Sequence, residues 1–580
     1  MRCTTILLVL VGFQFWLISN GAIVNSLENV DWWQKAVFYQ IFPRSFKDSD
    51  NDGIGDIPGI IQKLDHFVDA GVDAIWLSPI YKSPMVDGGY DISDYRDIAP
   101  EYGTLDDFKK LLEDAHERKL KVVLDFVPNH SSDQHIWFKK SINKEEGYNE
   151  YYLWADAKYD SEGNRGPPNN WLSVFQNSGW TWNEQRGQYF FHQFTNKQPD
   201  LNLRSKMVQK EMKDIMTFWL NMGVDGFRVD AVPHIYEDEQ LRDEPIDPNS
   251  GVIDPNNYDY LKHIYTKDQP KTFELVYDWR NFLDNYTAVN GGDTRIFMTE
   301  AATNIDKVAR YYGTADGSQL GAHFSFNFYL IGLTDYNRPM DIKYTVDAWQ
   351  SSLPSIYTLN WLTGNHDNHR VASRVSPRNI DGYNMMVMFL PGISITYMGE
   401  EFGQEDGEVT CEQGQDPSAV NNCTTFNQTS RDFERTPYQW DDSINAGFNE
   451  GAPTWLPVSK KYKYTNLENQ REMSRSHYKV YQQLIKIKSL LRSANTLTVY
   501  QSDADILQLR RSSEGGDNEY FFLFNMGEDV KTMPIQDVTD EACLVLVSSV
   551  DAEYLPGDKI FNEDITLKPG DSFICKLLLV

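Results

Sequence analysis

Cysteine is scarce in this chain, and its spacing excludes the common zinc motifs. Five cysteines occur in 580 residues, and neither Cys-x-x-Cys nor His-Glu-x-x-His is present. Cys3 lies in the apolar start of the chain, which leaves four. We predict that Cys411 pairs with Cys423 across a short polar loop and that Cys543 pairs with Cys575 between two strand-like runs, although the sequence alone allows other pairings.

Basic residues are also few. Lysine and arginine total 54 against 84 aspartates and glutamates, which gives a formal net charge of -30. Nucleic acids and anionic lipid surfaces are bound through basic patches, so this balance argues against a polyanion as partner and fits a neutral substrate better. We therefore expect no nucleic-acid partner, and no motif points to an organic cofactor.

The apolar run at the start of the chain is too short to span a bilayer. Residues 6–19, ILLVLVGFQFWLIS, follow Arg2 and precede Gly21 and Ala22, which is the layout of a cleavable secretory signal. A transmembrane helix needs about 20 apolar residues, so a signal anchor is the less favoured alternative. We predict a signal at residues 1–22, a secreted extracellular protein with no membrane span after signal removal, and N-glycosylation at Asn285, Asn422 and Asn427.

Short apolar runs alternate with helical patterns through most of the chain. In one helical stretch, KMVQKEMKDIMTFWLNMG, apolar residues recur at four-three spacing and form one buried face. Eight strand-helix units predict an α/β fold, a (β/α)8 TIM barrel. The strand candidates are VFYQIFP (37–43), AIWLSP (74–79), KVVLDFVP (121–128), GFRVD (226–230), IFMTEA (296–301), HFSFNF (323–328), LNWLTGN (359–365) and ISITYMG (393–399).

Two further regions do not fit the barrel pattern. Residues 129–203 are too long and irregular for a simple connection, so we predict a small inserted domain after the third strand. Its Trp171, Trp180 and Trp182 could stack on a bound ligand, but local core packing is the favoured interpretation. The last 86 residues show short alternating segments, which predict an antiparallel β domain. The predicted units are the signal (1–22), the barrel (23–128 and 204–494), the inserted domain (129–203) and the C-terminal β domain (495–580).

Acidic residues follow three of the predicted strands. Asp230 ends the fourth, Glu300 ends the fifth, and the seventh runs into Asp367. Active sites of such barrels form at these strand ends, although a lone carboxylate there is often only a loop cap. Two carboxylates can break a glycosidic bond, one as nucleophile and the other as acid and base, while a third stabilises the positive transition state. Arg228, two residues before Asp230, faces the same side of its strand and can hold that carboxylate ionised.

At these residues the sequence resembles the α-amylase family of glycoside hydrolases, in its α-glucosidase branch and most like insect maltases. The matching motifs are DFVPNH (125–130), QPDLN (198–202), GFRVDAVPH (226–234), TEA (299–301) and NHD (365–367). The resemblance implies a retaining mechanism with Asp230 as nucleophile, Glu300 as acid and base, and Asp367 as transition-state stabiliser. It also implies a pocket for a terminal glucose, formed by Asp87, Tyr90, His130, Arg228, His366 and Arg431.

The resemblance further implies how that pocket selects substrates. Asp87 and Arg431 are expected to form an ion pair that closes its end, with Arg435 as the rival arginine. Ala231, after the nucleophile, stands where isomaltose-cleaving relatives usually have Val and favours α-1,4 bonds and sucrose. We therefore expect an exo-acting α-glucosidase for maltose, short maltooligosaccharides and sucrose.

The acidic loop DSDNDGIGD (48–56) resembles the first half of an EF-hand, but Gly59 stands where that motif needs Glu. The spacing alone leaves a structural calcium loop and an Asx-rich turn open. Family relatives hold a structural calcium in this loop, so the resemblance favours the calcium loop. Its predicted ligands are Asp48, Asp50, Asp52, Asp56 and a carbonyl near Ile54.

Other functions compete with the hydrolase. A catalytically silent barrel that serves as a membrane-associated or transporter-accessory protein would lack the three carboxylates. A glucosyltransferase or sucrose isomerase would keep them and differ at the rim of the pocket. The sequence does not resolve that difference, nor the oligomeric state.

Overall fold

The computed structural model describes residues 30–419, 423–500, 504–513, 515–538, 542–561 and 564–578. The predicted signal at residues 1–22 and the sequon at Asn422 lie outside these ranges. Within them, no helix has the length and apolar character needed to cross a membrane.

Eight parallel strands form the centre of the molecule, one in each predicted strand segment. They are β1 (Val37–Ile41), β2 (Ala74–Leu77), β3 (Lys121–Phe126), β4 (Gly226–Val229), β5 (Ile296–Thr299), β6 (Phe324–Ser325), β7 (Asn360–Trp361) and β8 (Ile393–Tyr397). Their order in the sheet is β6-β5-β4-β3-β2-β1-β8-β7. The strands are shorter than the predicted runs because the last residues of each run leave the ladder and enter the loops of the barrel mouth.

The barrel closes between β6 and β7 through a side chain. The Asn360 amide donates from Nδ2 to the carbonyl of Ser325 (2.7 Å), and its Oδ1 accepts the backbone N–H of Asn327 (2.9 Å). Nδ2 also donates to the hydroxyl of Tyr312 at 2.9 Å. We call this contact the β6–β7 seam.

Close packing of β4 and β5 depends on one glycine. A Cβ on Gly226 would lie 2.2 Å from the carbonyl oxygen of Ile296, so any side chain there would push the two strands apart. These strands carry the first two predicted catalytic residues.

Helices surround the barrel, and most of them bury one apolar face, while Ile380–Phe389 is buried along its whole length. In the longest predicted pattern, Val208, Met212, Ile215 and Trp219 are fully buried, which confirms the stripe as core. The helices span Ile57–Gln62, Leu64–Ala70, Leu105–Glu117, Ile136–Ile142, Lys206–Met222, Pro270–Asn290, Ile305–Tyr312, Pro339–Ser352, Val371–Arg374, Ile380–Phe389, Phe426–Thr429, Leu467–Glu472 and His477–Leu490.

The segment between β3 and β4 carries its own small core. Trp171 and Trp180 are buried against Phe191, and Trp182 packs on the same cluster, which confirms the local-core interpretation of these tryptophans. Its strands are Trp154–Ala155, Lys158–Tyr159, Arg165–Gly166, Trp180–Asn183 and Gln188–Phe191, while a hairpin of Tyr81–Lys82 and Asp94–Ile98 follows β2.

The C-terminal region is an antiparallel β structure, as predicted. A six-stranded sheet contains Thr496–Val499, Ile506–Ser512, Glu519–Asn525, Ala542–Ser548, Lys559–Ile560 and Ser572–Leu578, and a two-stranded sheet pairs Lys531–Met533 with Ile565–Leu567. Both predicted disulfides are present. Cys543–Cys575 joins two neighbouring strands and is fully buried, and Cys411–Cys423 closes a surface loop with a Cα–Cα distance of 5.5 Å.

Candidate active site

Asp230 and Glu300 lie side by side at the mouth of the barrel. Each is the residue directly after its strand, and each backbone N–H continues the ladder, Asp230 to the Phe126 carbonyl and Glu300 to the Val229 carbonyl, both at 2.9 Å. The strands then end because Ala231 adopts a left-handed conformation with φ 46°. The N–H of Ala231 donates to Glu300 Oε2 at 2.9 Å and fixes that carboxylate.

Arg228 lies beneath the two carboxylates and contacts both. Its Nη1 is 2.7 Å from Asp230 Oδ1 and 3.0 Å from Asp125 Oδ2, and its Nη2 is 2.9 Å from Glu300 Oε2. The side chain is 2% exposed and its guanidinium stacks 5.2 Å from the Trp76 ring. A buried arginine in contact with three carboxylates fixes their positions and favours their ionised forms.

Burial and charge act in opposite directions on these carboxylates. Burial raises the pKa of Asp230 well above its usual range, Arg228 lowers it, and the charges of Glu300, Asp125 and Asp367 raise it further. Arg228 lowers the pKa of Asp230 as predicted, but burial outweighs this effect, so the expectation that Arg228 holds the carboxylate ionised is not borne out. Burial also raises the pKa of Asp125, to about 6, again against the opposing charge of Arg228.

Asp367 enters the same space from the loop after β7. Its Oδ1 is 2.7 Å from Arg435 Nη2 and 3.2 Å from Arg431 Nη1. Burial would raise the pKa of this carboxyl, but His366, Arg435 and Arg431 together hold it well below its usual range. Asp367 is therefore ionised, as a carboxylate that stabilises positive charge must be.

His366 is a neutral imidazole in a chain of hydrogen bonds. Burial lowers its pKa to about 3. Gln40 Nε2 lies 2.6 Å from Nδ1 and donates to it, so Nε2 carries the proton and donates to the Tyr90 hydroxyl, also at 2.6 Å. The Tyr90 hydroxyl donates a hydrogen bond to Asp125 Oδ2 at 2.8 Å, and its ring stacks on the imidazole with the ring planes 5° apart. These partners assign the tautomer and hold the two rings against the pocket.

Asp87 and Arg431 form the predicted ion pair. Arg431 Nη2 lies 2.8 Å from Asp87 Oδ1, whereas Arg435 binds Asp367 and donates from Nε to the carbonyl of His366 at 2.7 Å. The choice of Arg431 over Arg435 for this pair is thus confirmed. The other oxygen of Asp87 accepts a hydrogen bond from Gln198 Nε2 at 3.0 Å.

The predicted residues meet around one cavity of about 280 Å³. Asp230, Glu300 and Asp367 line it, and so do all the predicted sugar-binding residues except Arg228, which lies below the floor. Burial lowers the pKa of His130 in this wall to about 4, so it is neutral. The remaining lining residues are Val174, Phe175, Phe194, Gln198, Ala231, Pro233, His234 and Ala302.

Asp416, Asp125 and Gln198 hold charged groups of this site and are among its residues that were not predicted. Asp416, 2% exposed, binds Arg431 through both oxygens, with Oδ1 2.7 Å from Nη2 and Oδ2 3.0 Å from Nε. Asp125 and Gln198 belong to the motifs DFVPNH and QPDLN, so their position in those motifs was the available signal. Asp416 lies in the irregular loop EQGQDPS, where only the Asp-Pro pair marks a turn.

The acidic loop brings three of its predicted ligands together. Carboxylate oxygens of Asp48, Asp50 and Asp56 lie within 4.8 Å of one another. Burial raises the pKa of Asp56, which also accepts the Gly59 N–H at 2.6 Å. Three close carboxylates form a donor set that fits a calcium ion. Asp52 instead accepts the Ile54 N–H at 2.8 Å, and its role as a ligand, like that of the Ile54 carbonyl, stays a prediction.

The described glycosylation sequons are accessible. Asn285 lies on the helix Pro270–Asn290 and Asn427 on the helix Phe426–Thr429, and both side chains are exposed. Glycosylation at these positions stays a prediction.

Residues 40–497 match the family described as Alpha amylase, catalytic domain. The chain belongs to the α-amylase family. This confirms the resemblance carried by its motifs and, with the eight parallel strands and the C-terminal sheet, the predicted fold class.

Several members of the family are close relatives of this chain. Maltase 1 of Drosophila virilis is 46% identical over 95% of this chain and 88% of its own length. The salivary alpha-glucosidase of Anopheles gambiae is 42% identical over 96% of this chain and 95% of its own length. An amino acid transporter heavy chain of Rattus norvegicus, SLC3A1, is 35% identical over 95% of this chain and 79% of its own length. Among solved structures, the alpha-glucosyl transfer enzyme XgtA is 32% identical, with a TM-score of 0.84 over 95% of this chain and 100% of its own.

Proposed function

We propose that this protein is a secreted, exo-acting, retaining α-glucosidase. It hydrolyses terminal α-1,4-linked glucose from maltose and short maltooligosaccharides, and it also cleaves sucrose. The observation that carries this proposal is the meeting of Asp230, Glu300 and Asp367 in one cavity whose wall includes the Asp87–Arg431 pair. The relatives named maltase and alpha-glucosidase support the same activity.

The reaction follows from the positions of the carboxylates. Asp230 attacks the anomeric carbon of the terminal glucose while Glu300 gives its proton to the departing glycosidic oxygen, which leaves a glucosyl ester on Asp230. Glu300 then takes a proton from water, and the resulting hydroxide attacks the same carbon and releases Asp230. Two inversions return the starting α configuration, and the charge of Asp367 stabilises the cationic transition state of each step.

Removal of one sugar at a time rests on the closed end of the cavity. The Asp87–Arg431 ion pair, held by Gln198 and Asp416, occupies the space that a second ring would need beyond the terminal glucose. The pair also offers charged partners to glucose hydroxyl groups, which form stronger hydrogen bonds than neutral partners do.

Choice between water and a sugar as acceptor depends on the rest of the cavity lining. That lining includes three apolar residues of the inserted segment, Val174, Phe175 and Phe194, and the Phe175 ring lies 5.3 Å from the Arg431 guanidinium. XgtA is named as a glucosyl transfer enzyme, so transfer is the nearest alternative outcome of the same chemistry.

The decisive test follows glucose released from maltose, sucrose and isomaltose by the purified secreted protein, with the anomer of the first product determined by NMR. We expect α-glucose from maltose and sucrose, slower release from isomaltose, and a fall in kcat of about four orders of magnitude in Asp230→Asn. Asp225→Asn is the matched control, since Asp225 precedes the same strand at its other end.

The outcomes separate the candidates. β-Glucose as first product would refute retention, and transglycosylation products in place of glucose would assign a transferase. No turnover of any sugar would leave the alternative of a transporter-accessory barrel, and one relative is named as an amino acid transporter heavy chain.

The proposal includes calcium as a structural ion, with Asp48, Asp50, Asp52, Asp56 and the Ile54 carbonyl as its ligands. Bound there, the ion would join the loop after β1 to the helix Ile57–Gln62, whose first turn Asp56 caps. It would take no part in the chemistry of the pocket.

A further inference from the structure

A second group of metal-ligating side chains lies beside the pocket, outside the acidic loop. It consists of His369, Asp406 and Glu434, which we call the rim triad. One ligand atom from each lies within 4.8 Å of the other two. His369 follows Asp367 by two residues and Glu434 adjoins Arg435, so the triad is close in sequence to the pocket without lining it.

Glu434 is the unusual member of the rim triad. Its side chain is 2% exposed, yet Oε2 has no hydrogen-bond partner among the described residues. An unpaired buried carboxylate oxygen costs free energy and calls for a partner. Oε2 is directed into the triad, 3.7 Å from His369 Nδ1.

The segment around Glu434 is held in place, so this orientation is fixed by its neighbours. The carbonyl of Glu434 accepts a hydrogen bond from the Tyr397 hydroxyl at 3.0 Å. The next residue, Arg435, is bound to Asp367 and to the carbonyl of His366. The backbone that carries the carboxylate is therefore anchored to the pocket wall.

The distances between the ligand atoms of the rim triad suit a bound metal ion. Ligand atoms of a tetrahedral site with bonds of about 2.0 Å lie about 3.3 Å apart. The His369 Nδ1 to Asp406 Oδ2 distance is 2.7 Å and the His369 Nδ1 to Glu434 Oε2 distance is 3.7 Å, so the observed separations bracket that value. The other oxygen of Asp406 accepts the Arg370 N–H at 2.8 Å, which orients the ligand as supporting hydrogen bonds do in metal sites.

The donor set defines the class of ion. Calcium prefers oxygen ligands alone, whereas one imidazole with two carboxylates is typical of zinc and related transition metals. His369 and Asp406 also line a solvent-open cavity of about 620 Å³, which gives an entry path and room for a water as fourth ligand.

We propose that the rim triad binds one zinc-type divalent cation through His369 Nδ1, Asp406 Oδ2 and Glu434 Oε2. The ion joins three segments: the loop after β7, the loop after β8, and the segment that carries Arg435. It stabilises the wall of the pocket and does not touch the substrate. The proposal is independent of the α-glucosidase activity.

The test titrates Co²⁺, the spectroscopic probe for zinc, into the full secreted protein, prepared without a histidine tag and stripped of metals. Calcium is kept in excess, so that the acidic loop is saturated. We expect saturable visible absorption from one Co²⁺ per chain, reversed by Zn²⁺. His369→Gln should weaken binding about 100-fold. Because the His369 side chain is 42% exposed, this variant is expected to fold normally.

His116→Gln is the matched control. His116 also contacts an aspartate, Asp225, at 2.7 Å, and its side chain is 37% exposed, but the pair has no place among the described three-ligand groups. Loss of the Co²⁺ spectrum in His369→Gln with retention in His116→Gln supports the proposal. An unchanged spectrum in His369→Gln, or no specific Co²⁺ binding by the wild-type protein, overturns it. Glu434→Gln gives a second reading, with the same loss expected.

Discussion

At the scale of single residues, Asp416 determines where the end of the pocket lies. It holds Arg431 through both carboxylate oxygens, and Arg431 in turn contacts Asp87 and Asp367. In Asp416→Asn the buried guanidinium loses its strongest partner and can rotate away from Asp87. We expect a fall in kcat/KM for maltose of about 100-fold, mainly through KM, since removing one partner of a buried ion pair costs several kcal/mol.

Steady-state kinetics with maltose measures this effect of a positioning residue. Glu412→Gln is the control, because Glu412 lies exposed in the same loop. A KM within twofold of wild type in Asp416→Asn would show that Asp87 and Asp367 are enough to place Arg431.

At the scale of elements, the helix His477–Leu490 carries a buried lysine. Lys488 is 6% exposed, and its Nζ donates to the Gly392 carbonyl at 2.9 Å. Burial lowers the pKa of this amine to about 7, and the charges of Arg511 and Arg492 lower it further. Between pH 7 and the ordinary lysine pKa near 10.4, the unfolded chain therefore binds more protons than the folded one, so the free energy of unfolding rises with pH.

Between pH 7 and pH 9, we expect the free energy of unfolding of the wild-type protein to rise by about 2 kcal/mol relative to that of Lys488→Met. Each unit of pH contributes up to about 1.4 kcal/mol. Urea unfolding followed by tryptophan fluorescence at both pH values measures the difference. Lys486→Met, on the exposed side of the same helix, is expected to show no such change. A constant difference between wild type and Lys488→Met would mean that the amine stays protonated in the fold.

At the scale of the whole molecule, the acidic loop joins distant parts of the chain. Asp48 accepts a hydrogen bond from Asn449 Nδ2 at 2.9 Å, and the Trp455 N–H donates to the Gly53 carbonyl at 3.1 Å. Chelation of calcium is therefore expected to lower the Tm of the entire protein. Calcium should restore it and magnesium should not, because magnesium dehydrates reluctantly and demands a stricter geometry.

Differential scanning calorimetry with and without chelator measures this dependence. Asp50→Asn should abolish most of the calcium response, and Asp160→Asn, in an exposed turn with similar hydrogen bonds, should preserve it. A Tm that does not respond to chelator in the wild-type protein would assign the loop to the Asx-turn alternative.

The periodicity of apolar residues predicted the barrel, and the positions of acidic residues directly after the apolar runs predicted most of its candidate site. Asp230 and Glu300 could be placed because each directly follows a strand with a strong apolar pattern. The β6–β7 seam could not, since β6 and β7 have only two residues each and a side-chain amide joins them. Asp416 was missed because a disulfide loop without periodicity brings it to Arg431. The direction of the pKa shift at Asp230 depends on how deeply the carboxylate is buried, which a sequence does not show.

The seam also bears on how the protein could be adapted to heat. Asp230 and Glu300 follow strands on one side of it and Asp367 follows the first strand on the other, so the bonds from Asn360 to Ser325 and Asn327 contribute to the spacing of the three carboxylates. Substitutions that stabilise the outer helices do not change the β6–β7 seam. Substitutions meant to extend the working temperature are best placed where β6 meets β7.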